Sequence, residues 1–527
     1  MRATLTKRDT VRFRPWQLGL LTLVLAMAFG MIHSGASWGA SGYDAASDPY
    51  SMQNIMTGDG VQSWWKAGLT GQGVDVALID TGVAPVPALS KAGKIVNGAD
   101  LSIESQAPSL RYLDTNGHGT FMAGIIGGND GQPDGYRGVA PDSRILSVKV
   151  GDADGAVDVS QVIAAIDWVV QHRYDNGMNI RVINLSYGTT SQQPYTVDPL
   201  AYALEQAWKA GIVVVTAAGN TGLGSGLSDP AYDPWLISVA AADTNGTPTI
   251  ADDQPASFSA GNFAGGRGNS SAPTLLAPGV HMQGLRVPGS YVDQANPGAE
   301  LGDLYFRGSG TSEAAAYVTG AVALLLQKYP QLTPDQVKSM LASSTARLHG
   351  LSPALQGHGE LDLNALLGAR LPDGRGGHGA PAGPGGPHGP QWSNGSGSLE
   401  LSRGDAHLSM DGVVLQGEQT IFGLPFDSVA MAALEAAGHS WSGGWWDGSL
   451  WTGSSWSGSS WSGAAWAGSS WSGNSWSGSS WSGSSWSGNS WSGSSWSGSS
   501  WSGSSWSGLS WSGSSWSGDG WLGASWG

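Results

Sequence analysis

Four side chains, Asp80, His118, Asn220 and Ser312, stand where apolar runs give way to glycine or small residues. Their types match the needs of acyl-bond hydrolysis by a serine. Such chemistry requires a nucleophilic hydroxyl, a base to take its proton, a carboxylate to orient the base and donors for the developing oxyanion.

Asp80 ends the run VDVALIDTG. A carboxylate at the end of a buried strand is costly without a partner, and an imidazole N–H is one. His118 lies in NGHGTFMAGIIGG, where glycines on both sides allow close backbone approach and helical spacing begins at Thr120. Ser312 lies in GSGTSEAAAYVTGAVALLL, at the head of an apolar helix, where free N–H groups and the positive helix end meet its hydroxyl. Its own N–H supplies one oxyanion donor, and the amide of Asn220, closing VVVTAAGN, supplies a second. Each motif alone has a plainer reading: a turn aspartate, a solvent histidine, a turn asparagine, and Thr311 or Ser312 as an N-cap. Together they form one ordered set, each at a strand's carboxyl end or a helix start.

The elements that must position them are legible around them. Val74–Ile79, Arg144–Val150, Arg181–Leu185 and Ile212–Thr216 are Val/Ile-rich runs suited to strands buried on both faces of a parallel sheet. Val159–Val170 and Leu200–Ala210 have helical spacing, and Ala314–Leu326 is apolar nearly all round, which predicts a central buried helix. Thr333-Pro334-Asp335-Gln336 reads as N-cap, N1 proline and capping-box glutamine. The alternation argues for an α/β domain.

From about residue 45 to 365 the chain resembles the subtilisin-like serine proteases (subtilases). The resemblance rests on VALIDTGV, NGHGTFMAG, GVAPDSRILSVKV, VINLSYG, VVVTAAGN, LLAPGV and GTSEAAAYVTG, in that order. It implies a three-layer domain with a mainly parallel central sheet and helices on both faces. It also implies that Asp80 orients His118, that His118 is general base and then general acid, and that Ser312 becomes acylated. Asn220 and the Ser312 N–H would then hold the oxyanion. The substrate strand is expected along Ser186-Tyr187-Gly188, sandwiched against Gly155-Ala156-Val157. Ala217, Ala218 and Gly219 would form the other wall of the primary specificity pocket, an open slot for a large side chain. No cofactor is implied for the chemistry. Structural calcium is compatible with the resemblance: Asp243 matches a position near a cation site, whereas Asp152 and Asp154 read as solvated. No metal ligands are assigned.

Two positions depart from the family's pattern. Glu313 follows the nucleophile where many members have Met, and Ala316 stands where many have Pro. Ala316 lets the helix run on. Glu313 places a carboxyl near the oxyanion site, which would slow acylation, shift the pH optimum or favour basic residues in the substrate. It is also the one feature that favours an inactive scaffold over an enzyme.

Composition bounds the rest. Residues 1–36 carry Arg2, Lys7, Arg8, Arg12 and Arg14 before the uncharged run Trp16–Ile32 and Ser34-Gly35-Ala36, which reads as an export signal cleaved after Ala36, with an uncleaved anchor as the alternative. The formal charge is −16, and removing residues 1–36, with five basic and one acidic side chain, leaves −20. Such a chain is a poor nucleic-acid binder, and no later segment is apolar enough to span a membrane. The absence of cysteine excludes disulfides and a thiol nucleophile. A secreted or extracellular location is expected, with protein or peptide substrates.

Residues 37–73 lead into the peptidase region at 74–370, with no room for a folding propeptide of the size many exported relatives carry. Residues 371–397 form a Gly/Pro/His linker, and 398–437 have no role legible in their composition. Residues 438–527 repeat Trp-Ser-Gly-Ser-Ser with a period of five. Tryptophans on a straight strand would alternate faces, whereas a solenoid would stack them in a ladder. The tail is read either as an attachment device for cell envelope, polysaccharide or insoluble substrate, or as a Ser/Gly-rich stalk. In a further alternative the tail is the main function and the peptidase matures it.

Overall fold

Val76, Ala77, Leu78 and Ile79 are buried on a strand whose two ends are acidic, Asp75 and Asp80. Neighbours decide whether such a strand is stable. At its start, Arg144 grips Asp75 through Nε and Nη2 at 2.6 and 2.5 Å. At its end, Asp80 is the first residue of the candidate site. The computed structural model describes residues 42–107, 109–132, 135–261, 272–371, 390–410, 413–421, 424–441, 446, 450–451, 455–498 and 510–518.

In chain order the elements are α1 (Met52–Gly58), α2 (Val61–Lys66), β1 (Asp75–Asp80), β2 (Ile95–Asp100), α3 (His118–Gly127), β3 (Arg144–Lys149), α4 (Val159–His172), β4 (Ile180–Leu185), α5 (Pro199–Lys209), β5 (Val213–Ala217) and β6 (Ile237–Asp243). They continue with β7 (Gln254–Pro255), β8 (Leu275–Pro278), β9 (Met282–Leu285), α6 (Tyr291–Ala295), β10 (Glu300–Leu301), β11 (Tyr305–Gly308), α7 (Thr311–Lys328), α8 (Pro334–Ser343), β12 (Thr345–Ala346), α9 (Pro353–Gln356), β13 (Glu360–Leu361), α10 (Leu363–Gly368), α11 (Leu399–Arg403) and α12 (Ser428–Ala436).

The main sheet runs β12-β13-β8-β6-β5-β4-β1-β3-β2, with β7 paired to β6. Pairings from β2 through β8 are parallel; β7 and β12 join antiparallel. The expected mainly parallel α/β architecture is therefore observed. The chain leaves β1 toward β3 and β2 on one side and builds β4, β5 and β6 on the other. The carboxyl ends of β1 and β4 thus flank a topological switch point, where open α/β sheets bind ligands.

α7 is buried from Thr311 to Leu326 and packs against β4, β5, β6 and β8. Glycine makes one close crossing possible: a Cβ on Gly320 would lie 2.6 Å from Val139 Cβ and 3.2 Å from the Ile126 carbonyl. The capping box at Thr333 forms as expected, and Asp158 makes a second one at α4.

Described residues between 391 and 441 pack on the outside of the domain. Trp392 stacks on Trp235 with centroids 3.5 Å apart, and the Ser393 N–H donates to both Glu205 oxygens at 2.9 and 2.8 Å. Tyr202 Oη donates to the Ala432 carbonyl at 3.1 Å, and Gln171 to Ser440 Oγ at 2.9 Å. In the repeat, residues 455–498 and 510–518 are extended and parallel, and the Cα partners pair Trp491 with Trp511 and Trp496 with Trp516. The expected export signal and residues 372–389 of the linker lie outside the described residues. Among the described residues no helix is long and apolar enough to cross a membrane.

Gly320→Leu is expected to destabilise the fold by about 1–3 kcal/mol through overpacking at this crossing. The measurement is the denaturant midpoint in a Ser312→Ala background, which prevents self-digestion; an unchanged midpoint would show slack between α7 and Val139.

Candidate active site

Asp80 emerges from β1 with its carboxylate 4 % exposed. Its Oδ1 accepts from the Thr81 N–H at 2.8 Å and faces His118 Nδ1 at 2.8 Å. Oδ2 has no protein partner, so the imidazole and Thr81 carry the compensation. His118 is the first residue of α3, after Gly117 in the left-handed region at φ 104°. A Cβ on Gly119 would lie 2.1 Å from the Gly82 carbonyl. Glycine there is what lets the two chain segments touch and the ring reach Asp80.

Asp114 organises the histidine loop, and sequence reading did not find it. Its Oδ1 accepts from the Gly117 N–H at 2.7 Å and Thr81 Oγ1 at 2.9 Å; its Oδ2 accepts from the N–H and Oγ1 of Thr120 at 2.7 and 2.5 Å. Thr81 Oγ1 in turn accepts from the Gly119 N–H at 2.9 Å. Burial pushes the Asp114 carboxyl up, and these hydrogen bonds oppose it. The available signal was an acid four residues before a histidine in a glycine-rich loop. Reading that loop as a unit would have exposed it.

Ser312 is the second residue of α7, behind Gly310 as N-cap. Thr311 and Ser312 therefore sit inside the helix, and neither is the side-chain cap that the plainer reading required. Asn220 Oδ1 accepts from the Thr311 N–H at 2.9 Å and from Thr311 Oγ1 at 3.0 Å. That fixes the amide and leaves its Nδ2 to donate elsewhere. Thr311 Oγ1 also accepts from the Gly219 N–H at 3.1 Å, joining the nucleophile's helix to the end of β5. The Ser186 hydroxyl donates to the Ser312 carbonyl at 3.4 Å, and Asn184 bonds both Ser186 Oγ at 3.1 Å and Thr319 Oγ1 at 2.8 Å. No hydrogen bond between Ser312 and His118 is recorded among the described residues; such contacts commonly tighten only with substrate.

The expected cleft residues also gather here. Tyr187 is half-buried just past β4, and a Cβ on Gly188 or Gly219 would meet Ser228 within 2.7 and 2.2 Å. Ser228 thus stands between Gly188 and Gly219. Ala217 and Ala218 are buried, and the Ala218 N–H donates to Val239 at 2.9 Å. Gly155 has φ 83° and faces Asn116, whose Nδ2 donates to the Ala153 carbonyl at 2.9 Å, so the 152–157 segment is tied to the histidine loop. Asp152 and Asp154 both accept from the Ala156 N–H, at 2.9 and 3.2 Å, and act as turn residues.

Asp243 accepts from the Asn245 N–H at 2.9 Å and from Tyr50 Oη at 3.4 Å. Among the described residues no group of three or more His, Asp or Glu side chains is arranged to hold a metal. The side chains around Asp243 thus do not make a carboxylate cage for calcium.

Glu313 is buried, its carboxyl oxygens 2.5 and 2.6 Å from where Cβ atoms on Gly308 and Gly310 would be. Those two glycines make its space. Burial pushes the carboxyl up while the His118 charge pulls it down. His118 is pushed up to about 9: burial works against the charged ring, but Asp80, by charge and hydrogen bond, outweighs it, with Glu313 and Asp114 adding.

Comparison with known proteins agrees with this geometry. The family model described as the subtilase family matches residues 71–359. The chain belongs to the subtilase family. It is 38% identical over 300 residues to the serine protease AprX of Bacillus subtilis, covering 56% of this chain and 66% of that one. It is 36% identical over 292 residues to a thermostable alkaline protease of Halalkalibacterium halodurans, covering 55% and 67%. Against subtilisin DY of Bacillus licheniformis it is 32% identical over 308 residues, covering 58% and 93%. The match to the minor extracellular protease Epr of Bacillus subtilis is 32% identical over 288 residues and reaches 37% of that chain, so this chain spans about two thirds of AprX and little more than a third of Epr.

A raised imidazole is protonated over more of the pH range. Stability from the charged pair is complete below about 6.5, the ordinary histidine value, and is lost as pH rises through about 9. A base needs the neutral ring, so kcat/KM is expected to climb toward and through pH 9. Glu313→Gln removes one of the charges holding the proton, and its limb is expected at lower pH. Coincident profiles for the two proteins would show that Glu313 does not act on the ring.

Proposed function

We propose that this protein is an exported serine endopeptidase working through Asp80, His118 and Ser312. The observation that carries the reading is the 2.8 Å Asp80–His118 contact at the edge where α7 presents Ser312 beside a fixed Asn220. Asp80 holds the ring with Nδ1 protonated, leaving Nε2 to take the Ser312 proton. The hydroxyl oxygen attacks the scissile carbonyl, whose oxyanion is met by Asn220 Nδ2 and the Ser312 N–H at the positive end of α7. His118 returns the proton to the leaving amine. Water, deprotonated by the same ring, then releases the acyl group and regenerates the serine.

Substrate peptides lie along Ser186-Tyr187-Gly188 and Gly155-Ala156-Val157, and the pocket bounded by Gly188, Gly219 and Ser228, which narrows the open slot expected from sequence, takes the side chain of the residue whose carbonyl is attacked. The pentad tail attaches the enzyme to cell envelope, polysaccharide or insoluble substrate. Support for this comes from the parallel register, which sets tryptophan opposite tryptophan at the Cα level. An ordered ladder of this kind suits a flat ligand surface.

A fluorophosphonate is expected to label Ser312 in the purified protein and to spare Ser312→Ala. Asn220→Ala is expected to lower turnover of a casein-derived peptide by about a hundredfold or more with little change in KM. Absence of both labelling and cleavage would remove the peptidase reading. Deleting residues 438–527 is expected to abolish retention on cell-wall or polysaccharide particles while labelling continues; equal retention would remove the attachment role.

A further inference from the structure

Residues 398–410 and 413–421, part of the 398–437 stretch with no role legible in its composition, are bolted to both walls of the cleft at once. On one wall stands Asp158, directly after Gly155-Ala156-Val157 and N-cap of α4. Arg403 of α11 is wholly buried there: its Nε donates to Asp158 Oδ2 at 2.6 Å and its Nη2 reaches Asp158 Oδ1 at 3.5 Å. The remaining guanidinium hydrogens go to Glu400 Oε2 at 3.1 Å, to the Gly417 carbonyl at 2.5 Å and to the Gln419 carbonyl. The Ile421 N–H adds a bond to Ser160 Oγ at 3.0 Å.

On the other wall, Thr189 follows Ser186-Tyr187-Gly188, and its hydroxyl donates to the Ser402 carbonyl at 2.6 Å. The Asp405 N–H donates to Thr190 Oγ1 at 2.9 Å. Gly404, at φ 57°, lies so close that a Cβ would be 2.7 Å from the Ser191 N and from Thr190 Oγ1. Ser402 Oγ and Gln193 close the arrangement on Asp198, both at 2.8 Å.

Ser186 touches the carbonyl of Ser312, and the wall runs from there to Thr189. At the rise of extended chain, three residues take it roughly 10 Å from the nucleophile. Beyond that distance lies α11, spanning from Thr189 to Asp158. We infer that α11 closes the acyl end of the substrate channel, with Arg403 as the positioning residue that holds the two walls together, so that the enzyme reads about three acyl-side residues of a peptide and gains nothing from a fourth. This rests on the peptidase reading above. The acyl half is the one along 186–188, because the pocket beside it takes the residue whose carbonyl is attacked.

The test is a series of peptides with one fixed cleavable bond, lengthened a residue at a time on the acyl side, with lengthening on the leaving side as control. In the wild-type protein, kcat/KM should be level from three to five acyl residues, whereas a further productive subsite would add roughly tenfold or more. Arg403→Met releases the first wall. Thr189→Val keeps the shape of the second wall, removes its bond to Ser402 and serves if Arg403→Met fails to fold. Either variant is expected to raise the ratio of five-residue to three-residue kcat/KM about tenfold, mainly through KM, with Arg403→Lys intermediate. A wild-type series that keeps rising past the third residue overturns the inference, as does an unchanged ratio in the folded variants. Fluorophosphonate labelling in the same samples separates the failures. Labelling with a steep acyl-side series sinks the closed channel alone, and no labelling with no cleavage sinks the peptidase reading and this inference with it.

Discussion

A carboxylate buried at the end of a parallel strand, and the imidazole that compensates it, is the constraint from which the rest of the site follows. Burying the Asp80 carboxylate with one oxygen unpartnered is costly unless the other is well served, and His118 and Thr81 serve it. That demand fixes where α3 begins and requires Gly119 to pass the Gly82 carbonyl. It also requires the histidine loop to hold its shape, and Asp114 meets this with four hydrogen bonds from three residues. The nucleophile is positioned by a separate device, the Thr311–Asn220–Gly219 contacts that anchor the head of α7. The sheet's switch point makes the two devices meet.

Asp114 and Glu313 show two ways to bury an acid near a charged ring. Asp114 is saturated with donors and supports the loop, and its charge adds to the pull on the ring. Glu313 is given room by Gly308 and Gly310; burial pushes its carboxyl up, and its pull on His118 is smaller than that of Asp80. Directly after the nucleophile this chain carries a second carboxyl beside the base, one that burial pushes up and the His118 charge pulls down. The consequence falls on proton affinity and leaves the fold intact, because α7 is anchored through Thr311 rather than through residue 313.

Much of this was legible in the sequence because it is carried by local pattern. The Val/Ile runs became β1, β3, β4 and β5 within a residue or two, since strands buried on both faces leave no polar alternation to blur their limits. Val159–Val170 became Val159–His172, and the buried helix at 314–326 extended to Thr311–Lys328. Asp80 stood out as the acid ending an apolar run, and His118 through its flanking glycines, which are steric requirements and therefore visible as residue types. Asp114, Thr81 and Thr120 were not, because a hydrogen-bonding hub is defined by where the chain returns and not by spacing. Arg403 was the least legible of all. One arginine in a Gly- and Ser-rich stretch looks solvated until its carboxylate partner, 245 residues away in sequence, is placed against it.

That partner is what makes the appended segment more than decoration. Asp158 serves α4 as N-cap and capping-box residue, accepts from Ser160 and receives the Arg403 fork. Neither charge of the pair reaches water. Removing one member of such a pair commonly costs about 3–5 kcal/mol, because the other is left buried and uncompensated. A chain without disulfides that commits an ion pair of this cost to a segment more than thirty residues past α10 has coupled that segment to the cleft wall. The coupling runs through Asp158 to the turn at Gly155, two residues from Ala153, which Asn116 ties to the histidine loop. Composition changes near residue 371, but the forces that set the cleft's width extend past it, to a guanidinium whose five donors are all taken.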